Sequence, residues 1–313
     1  MNEITIIIPY FNRAQLLERT LHSIARCTWR TLHLILVDNN STDHSRQVCE
    51  QFAETHRSPQ FDIVLTEEPQ KGAAAARNRG LALCQTPFVY FFDCDDEFDP
   101  DFLPTIMPLL TNDIDLLAVT TRQVVKGRTE VRAFRPTDSP VAQVLVSHLA
   151  TQSMVIRTDF LRHAGGWNAS LHIWNDWELG LRLLMARPRM RWFTSTPFHY
   201  IFKHDDSLTG PNWSARIDVI RVTMQTVLQN YPQLSAALRL RWEILTGQLL
   251  REHNREEAEN NKKLTHTQFA CESVWIRMLG NFLRFYTSIG GRGAWRIAYG
   301  LCPAPKQAEQ HHA

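Results

Sequence analysis

The chain of 313 residues contains no long hydrophobic run. Crossing a bilayer as a helix takes about 20 consecutive apolar residues, and no segment approaches that length. A secretion leader is not expected either. Glu3 interrupts the start, and the apolar run Ile4 to Ile8 is too short for a signal core. Six cysteines (Cys27, Cys49, Cys84, Cys94, Cys271 and Cys302) are scattered, with no Cys-x-x-Cys pair and no zinc-ligand cluster. They are expected to be reduced thiols, buried or inert, in a cytoplasmic chain. Charge of one sign is also missing: the net charge is only +2, so no bulk field draws the chain to nucleic acid.

What is present is an ordinary globular composition, with 44% hydrophobic and 21% charged residues. A chain of this length can bury a sizeable core as one large domain with an appendage, or as two modest domains.

Buried-strand runs alternate with helical patterns over the first 120 residues. Ile4-Thr-Ile-Ile-Ile8 is β-branched and stops at Pro9; Leu32 to Val37, Asp62 to Thr66 and Phe88 to Phe92 are similar runs, and Asp115 to Val119 starts another. Between them, Arg13 to Cys27, Thr42 to Glu54, Gly72 to Leu83 and Phe102 to Leu110 read as helices, the second capped by Ser41 or Thr42. This alternation predicts an α/β fold with a doubly wound, mostly parallel sheet flanked by helices. Asn12, Asp38, Asp43, Asp93 and Asp95 fall just past strand ends, the edge where open α/β sheets bind ligands. From Trp213 the periodicity turns helical, with a polar break at Asn254 to Lys263 and a boundary near Gly210.

Asp93-Cys94-Asp95 follows an aromatic strand. If the segment stays extended, residues two apart point the same way, and two carboxylates converge. Two bare anions that close repel unless a cation sits between them. Hard oxygen ligands favour Mg2+ or Mn2+, ions that keep positions for substrate phosphates and water. The site then implies a metal carrying a diphosphate. The alternative is a solvated acidic loop, since Asp96, Glu97, Asp99 and Asp101 follow closely.

Six motifs in order give the chain a resemblance to the family 2 glycosyltransferases, which have the GT-A fold. They are Ile8-Pro-Tyr-Phe-Asn12, Val37-Asp-Asn-Asn-Ser-Thr-Asp43, Gly72-Ala-Ala-Ala-Ala-Arg-Asn-Arg-Gly80, Phe92-Asp-Cys-Asp-Asp96, Gly165-Gly-Trp-Asn168 leading to Trp174-Asn-Asp-Trp-Glu-Leu179, and Tyr200-Ile-Phe-Lys-His204 with Ser207. The resemblance covers roughly residues 4 to 210. It implies a catalytic domain over 1–210, with a nucleotide-binding half to about 115 and an acceptor half after it. Residues 211–313 form a helical region outside it.

The resemblance also implies roles. Asp38 is similar to the carboxylate that accepts from the donor base, in a pocket shaped by Pro9 and flanked by Tyr10 and Asn12. Arg77 approaches base or diphosphate, a task that suits a guanidinium. Asp93 resembles the ribose and metal-shell aspartate, and Asp95 the direct metal ligand. Asp176 resembles the base that takes the acceptor proton during inversion, with Glu178 as fallback. His204 resembles a late histidine closing on the metal, His199 competes for that role, and Lys203 could meet the diphosphate. For each there is a plainer alternative: Asp38 as a turn cap, Arg77 as a surface residue, Asp176 as a helix cap. The family usually has Glu before the base, where Asn175 stands here.

The expected reaction moves one sugar from a nucleotide-sugar donor, with uridine the commonest nucleoside in the family, to a hydroxyl of a glycan or lipid-linked acceptor in cell-surface polysaccharide synthesis. A processive synthase is not expected, because Arg191-Trp192 lacks the Gln-x-x-Arg-Trp context. Rivals are a sugar nucleotidyltransferase and a catalytically silent nucleotide-sugar binding protein. Between Asn260 and Lys306, seven basic residues and one acidic residue interleave with aromatics such as Trp275, Phe282 and Phe285. That stretch can lie on an anionic membrane surface at the inner face of the cell membrane, or pack as a helix with a solvated basic face.

Overall fold

The structure is a computed structural model that describes residues 3–29, 31–132, 136–203 and 213–303. In chain order its elements are β1 (Ile4–Tyr10), α1 (Ala14–Ala25), β2 (Leu32–Asp38), α2 (Ser45–His56), β3 (Phe61–Glu67), α3 (Ala73–Leu83), β4 (Phe88–Phe91), α4 (Phe102–Ile106), β5 (Leu116–Val125) and β6 (Arg128–Val131). They continue with α5 (Pro140–Val146), β7 (Met154–Arg157), α6 (Thr158–His163), α7 (Asn175–Met185), β8 (Met190–Lys203), α8 (Ile217–Asn230), α9 (Ser235–Arg251), α10 (Arg255–Gln268), α11 (Val274–Ser288) and α12 (Ala294–Leu301). Two compact units result: Met1–Pro136 with Leu149–Ser207, and Thr137–His148 with Leu208–Ala313. Thus α5, which the sequence would assign to the acceptor half, groups with the C-terminal helices.

The first unit is built on a sheet of order β3-β2-β1-β4-β7-β5-β6, with β8 paired to β5. Strands β3, β2, β1 and β4 are mutually parallel, β7 runs against both β4 and β5, and β8 runs parallel to β5. The expected α/β fold is thus present, mostly parallel and flanked by helices.

Alternation explains why helices cover both faces. Ile4, Ile6, Ile8 and Tyr10 of β1 point into one core with Leu17, Leu21 and Phe52 from α1 and α2. Ile7 points into the other, with Ala74, Ala76 and Leu81 of α3 and Leu179 and Leu183 of α7. Period-2 strands with apolar residues on both faces need cover on both. Each fully buried aliphatic side chain contributes about 1.5–3 kcal/mol. At Gly80, α3 comes so near β1 that an added Cβ would lie 2.4 Å from Ile7 Cγ2. That close approach gives the last glycine of the third motif its reason.

Two local expectations change. The cap of α2 is neither Ser41 nor Thr42: the helix begins at Ser45, with Asp43 Oδ1 accepting from Ser45 N at 2.9 Å. Ser41 and Thr42 are instead engaged by Asn12. The polar break at Asn254 to Lys263 is mostly the helix α10. Asn254 caps it through Glu257 N, and Ala258, Asn261 and Thr265 give it a narrow buried stripe that overall polarity hides.

In the second unit α9 is buried nearly all round and packs with α5, α10, α11 and α12. Its Glu243 is 1% exposed. The carboxylate is met by Arg239 of the same helix at 3.4 Å and by Arg284 of α11 at 2.8 Å, as a buried charge requires.

Candidate active site

The end of β2 gathers the first motifs. Asp38 is 2% exposed. Its Oδ1 accepts from Ser41 N at 2.8 Å, and its Oδ2 accepts from Arg46 Nε and Nη2 at 3.3 and 3.1 Å. Arg46, on α2, also pairs with Glu67 at the end of β3. Pro9 and Tyr10 lie opposite Val37 and Asp38 in the sheet register. Tyr10 is buried, and burial holds its hydroxyl well above the ordinary range, with Cys49 and Asp38 adding to the rise. Asn12, at φ 49°, accepts at Oδ1 from Thr42 N and Asp43 N at 2.8 and 3.3 Å. It therefore shapes the loop after Asp38.

Asn39 ties this strand end to α3. Its Nδ2 donates to Glu68 O and Gln70 O, and its Oδ1 accepts from Gly72 N at 2.7 Å. The segment that delivers Arg77 is thus fixed by Asn39, a motif residue to which the sequence reading gave no role.

At the end of β4 the expected geometry differs. The strand stops at Phe91 and the chain turns over Cys94–Asp95, so the alternation of an extended segment does not apply to Asp93 and Asp95. What holds Asp93 is a set of donors. Arg77 Nη2 donates to its Oδ1 at 2.7 Å, and Gln152 Nε2 donates to its Oδ2 at 2.7 Å. Arg77 is 7% exposed and lies over the Trp167 ring at 4.4 Å, so it is no surface residue. Trp167 is itself locked by Asn78, which donates to its carbonyl and accepts from its N–H, both at 2.8 Å.

Gln152 Nε2 also donates to Asp96 Oδ2 at 2.6 Å, and Phe202 N donates to Asp96 Oδ1 at 2.8 Å. The end of β8 is thus fastened to the acidic turn. Burial, then the charges of Asp93 and Asp95, raise the Asp96 carboxyl well above its usual range, while the Phe202 N–H and the Lys203 charge pull it down. Lys203 is exposed at the end of β8. A turn with three carboxylates, one of them already disfavoured as an anion, suits a hard cation. Among the described residues no three His, Cys, Asp or Glu side chains are grouped to hold a metal. A cation held by Asp95 and Asp93 would have to complete its shell with phosphate oxygens and water.

Asp176 sits half-buried in the first turn of α7, its Oδ1 accepting from Trp177 N at 2.8 Å. Among the described residues it shares no hydrogen bond with the acidic turn. Its charge is felt by Arg132, whose guanidinium burial pushes down and Asp176 pulls up. Glu178, the fallback base, is 4% exposed and gripped by Arg182 through two bonds of 2.9 Å, which leaves it a structural ion pair. Asn175 holds the loop before α7 through Leu171 O.

His199 does not compete for a metal. It is 0% exposed, ringed by Tyr90, Phe92, Phe98 and Phe102, and its Nδ1 accepts from Asp99 N at 3.0 Å. Burial, with the Arg122 charge, pushes its pKa well below the ordinary value and keeps it neutral. His204 lies outside the described residues.

Sequence reasoning missed Arg46, Asn39, Asn78, Arg132 and Gln152. Asn39 and Asn78 each stood inside one of the family motifs and could have been singled out. A lone Gln, or an Arg in the first turn of a helix, carries no signal of its own.

The comparisons with known proteins bear on the family and the fold. Residues 5–162 match the model of a family described as Glycosyl transferase family 2. The Pre-mycofactocin glycosyltransferase of Mycobacterium tuberculosis is 29% identical over 226 residues, 68% of this chain and 45% of that protein. The chain spans less than half the length of the curated relatives it matches first. Further relatives bear names from teichoic acid and teichuronic acid synthesis. Among solved structures, S. aureus TarS 1-349 in complex with UDP-GlcNAc superposes with a TM-score of 0.58 at 16% identity, over 95% of this chain and 90% of that one. The mannosyltransferase PcManGT of Pyrobaculum calidifontis, in complex with GDP-Man and Mn2+, gives 0.54 at 18%, over 96% and 87%. Both likenesses are of fold.

Proposed function

We propose a reaction for this chain from one premise: it belongs to glycosyl transferase family 2. It is a transferase that moves a single sugar, with inversion, from a nucleotide-diphosphate sugar to a hydroxyl of a glycan or lipid-linked acceptor in cell-surface polysaccharide synthesis. The base is uracil. The observation that carries the reading is Arg77, which places its guanidinium on Asp93 at the edge of the sheet where Asp38 also ends its strand.

Asp38 offers the base a fixed acceptor, with Pro9, Tyr10 and Asn12 setting the walls. Arg77 and Lys203 supply positive charge to the diphosphate. Asp93 and Asp95 would hold Mg2+ or Mn2+, with His204, phosphate oxygens and water as the remaining ligands. When bound, that ion offsets the charge growing on the leaving diphosphate. Asp176 takes the proton from the acceptor hydroxyl as its oxygen attacks the anomeric carbon. Arg132 lies near enough for its charge to interact with that of Asp176. A lipid-linked acceptor would put the chain at the inner face of the cell membrane.

A thermal-shift series tests the proposal, using UDP- and GDP-sugars with Mn2+. A ligand bound at 100 times its Kd stabilises the fold by about 2.7 kcal/mol. A rise with UDP-sugars, followed by donor hydrolysis or transfer, is the expected result. No stabilisation by any nucleotide-sugar and no turnover would refute it.

A further inference from the structure

Helix α11 has two apolar faces. Ile276, Leu279, Gly280, Leu283 and Thr287 are buried in the second unit. Trp275, Met278, Phe282 and Phe285, with Ile289 just past the last helical residue, are 50–67% exposed. At about 100° per residue these five fall within a wedge of roughly 80°, along the whole length of the helix. Their mean direction lies some 140° from the buried face. An outward helix face is normally polar, and a continuous apolar stripe of this length marks a surface that something else covers.

Charge decides what covers it. From Val274 to Pro303 the exposed charged residues are Arg277, Arg292 and Arg296. The nearby carboxylate of Glu272 is bonded to Ser235. α12, which packs on α11, adds exposed Tyr299 and Leu301. The spacing of the stripe would also suit a second helix. A second copy related by a two-fold axis, however, would bring arginines against arginines, which costs affinity. An anionic bilayer accepts both features: headgroups meet the arginines, and the aromatic and aliphatic side chains enter the acyl boundary.

We infer that α11 is an in-plane membrane anchor, laying Trp275, Met278, Phe282, Phe285 and Ile289 into an anionic lipid surface with Arg277, Arg292 and Arg296 at the headgroups. The inference deepens the proposed function by naming the face that meets the membrane of the acceptor, but its physics does not depend on catalysis. It requires no spanning segment: among the described residues no helix is long and apolar enough to cross a membrane.

Flotation of the full chain tests it, with phosphatidylcholine vesicles prepared with and without about a third phosphatidylglycerol. The wild type should float with the anionic vesicles and bind the neutral ones at least about tenfold more weakly. Phe282→Ser/Phe285→Ser should lose at least about tenfold of the anionic binding. Arg277→Gln/Arg292→Gln/Arg296→Gln should lose the preference for anionic lipid. All these residues are exposed, and circular dichroism verifies that each variant is folded. Wild type that stays in the buffer, or variants that float as well as wild type, would overturn the anchor. So would a micromolar wild-type dimer in sedimentation that the Phe282→Ser/Phe285→Ser variant abolishes. Donor hydrolysis in vesicle-free buffer should be unchanged in both variants. If hydrolysis is absent while flotation persists, the transferase reading fails and the anchor stands.

Discussion

Asn78 and Trp167 form a reciprocal pair: the Asn78 amide donates to the Trp167 carbonyl and accepts from its N–H, both at 2.8 Å. Gly166 allows it, because a Cβ there would meet Asn78 Oδ1 at 2.7 Å and its φ is +66°. The pair joins α3, which carries Arg77, to the ring on which Arg77 lies. Asn78→Ala should therefore lower stability by about 1–3 kcal/mol and also raise the donor KM. Urea unfolding with unchanged slope and steady-state kinetics measure both. Unaltered KM in a destabilised variant would confine Asn78 to a scaffold role.

Asp176→Asn keeps size and removes the proposed base. Transfer should fall by a factor of about 10²–10⁴, with donor affinity by calorimetry within about twofold of wild type. Glu178→Gln should behave differently: it breaks the ion pair with Arg182 and lowers the melting temperature, while the proton-transfer step survives. If Glu178→Gln removes turnover at full stability and Asp176→Asn does not, the two roles are reversed.

Asp95→Ala and chelation should have the same effect on the donor. Either should weaken UDP-sugar binding by at least about tenfold, and added Mn2+ should restore wild type only. Binding in EDTA equal to binding in Mn2+ would show that the acidic turn needs no cation.

The neutral, buried His199 makes stability depend on pH. Its pKa is depressed in the folded chain, while the unfolded chain takes up a proton near the ordinary value of about 6.5. Its contribution is therefore complete above that value and is lost as pH falls toward the folded pKa. Each unit of depression corresponds to about 1.4 kcal/mol. His199→Phe, which suits the aromatic surroundings, should flatten the loss of melting temperature between about pH 7 and pH 5. Parallel curves for the two proteins would show that other groups govern acid lability.

The strands were legible because β-branched runs such as Ile4 to Ile8 have few alternatives to a buried parallel sheet, and their flanking helices followed from spacing. Positions of Asp38 and Asp93 at strand ends were legible for the same reason. The hold on them was not. Alternation misread Asp95, because β4 ends early and the chain turns. Gln152 reaches Asp93 across 59 positions, a contact made by topology and not by any local pattern. His199 stood as a competitor to His204 only by being nearby in the sequence, and only packing could place it among Tyr90, Phe92, Phe98 and Phe102. Polarity hid α10, whose narrow buried stripe consists of three residues.

Arg46 on Asp38 has a consequence for selectivity. A carboxylate already matched by a guanidinium presents direction more than charge. If the donor base binds there as proposed, it would meet an oriented lone pair, with little long-range field to draw it in. Raising the ionic strength should therefore weaken the hold on diphosphate far more than the discrimination between one base and another.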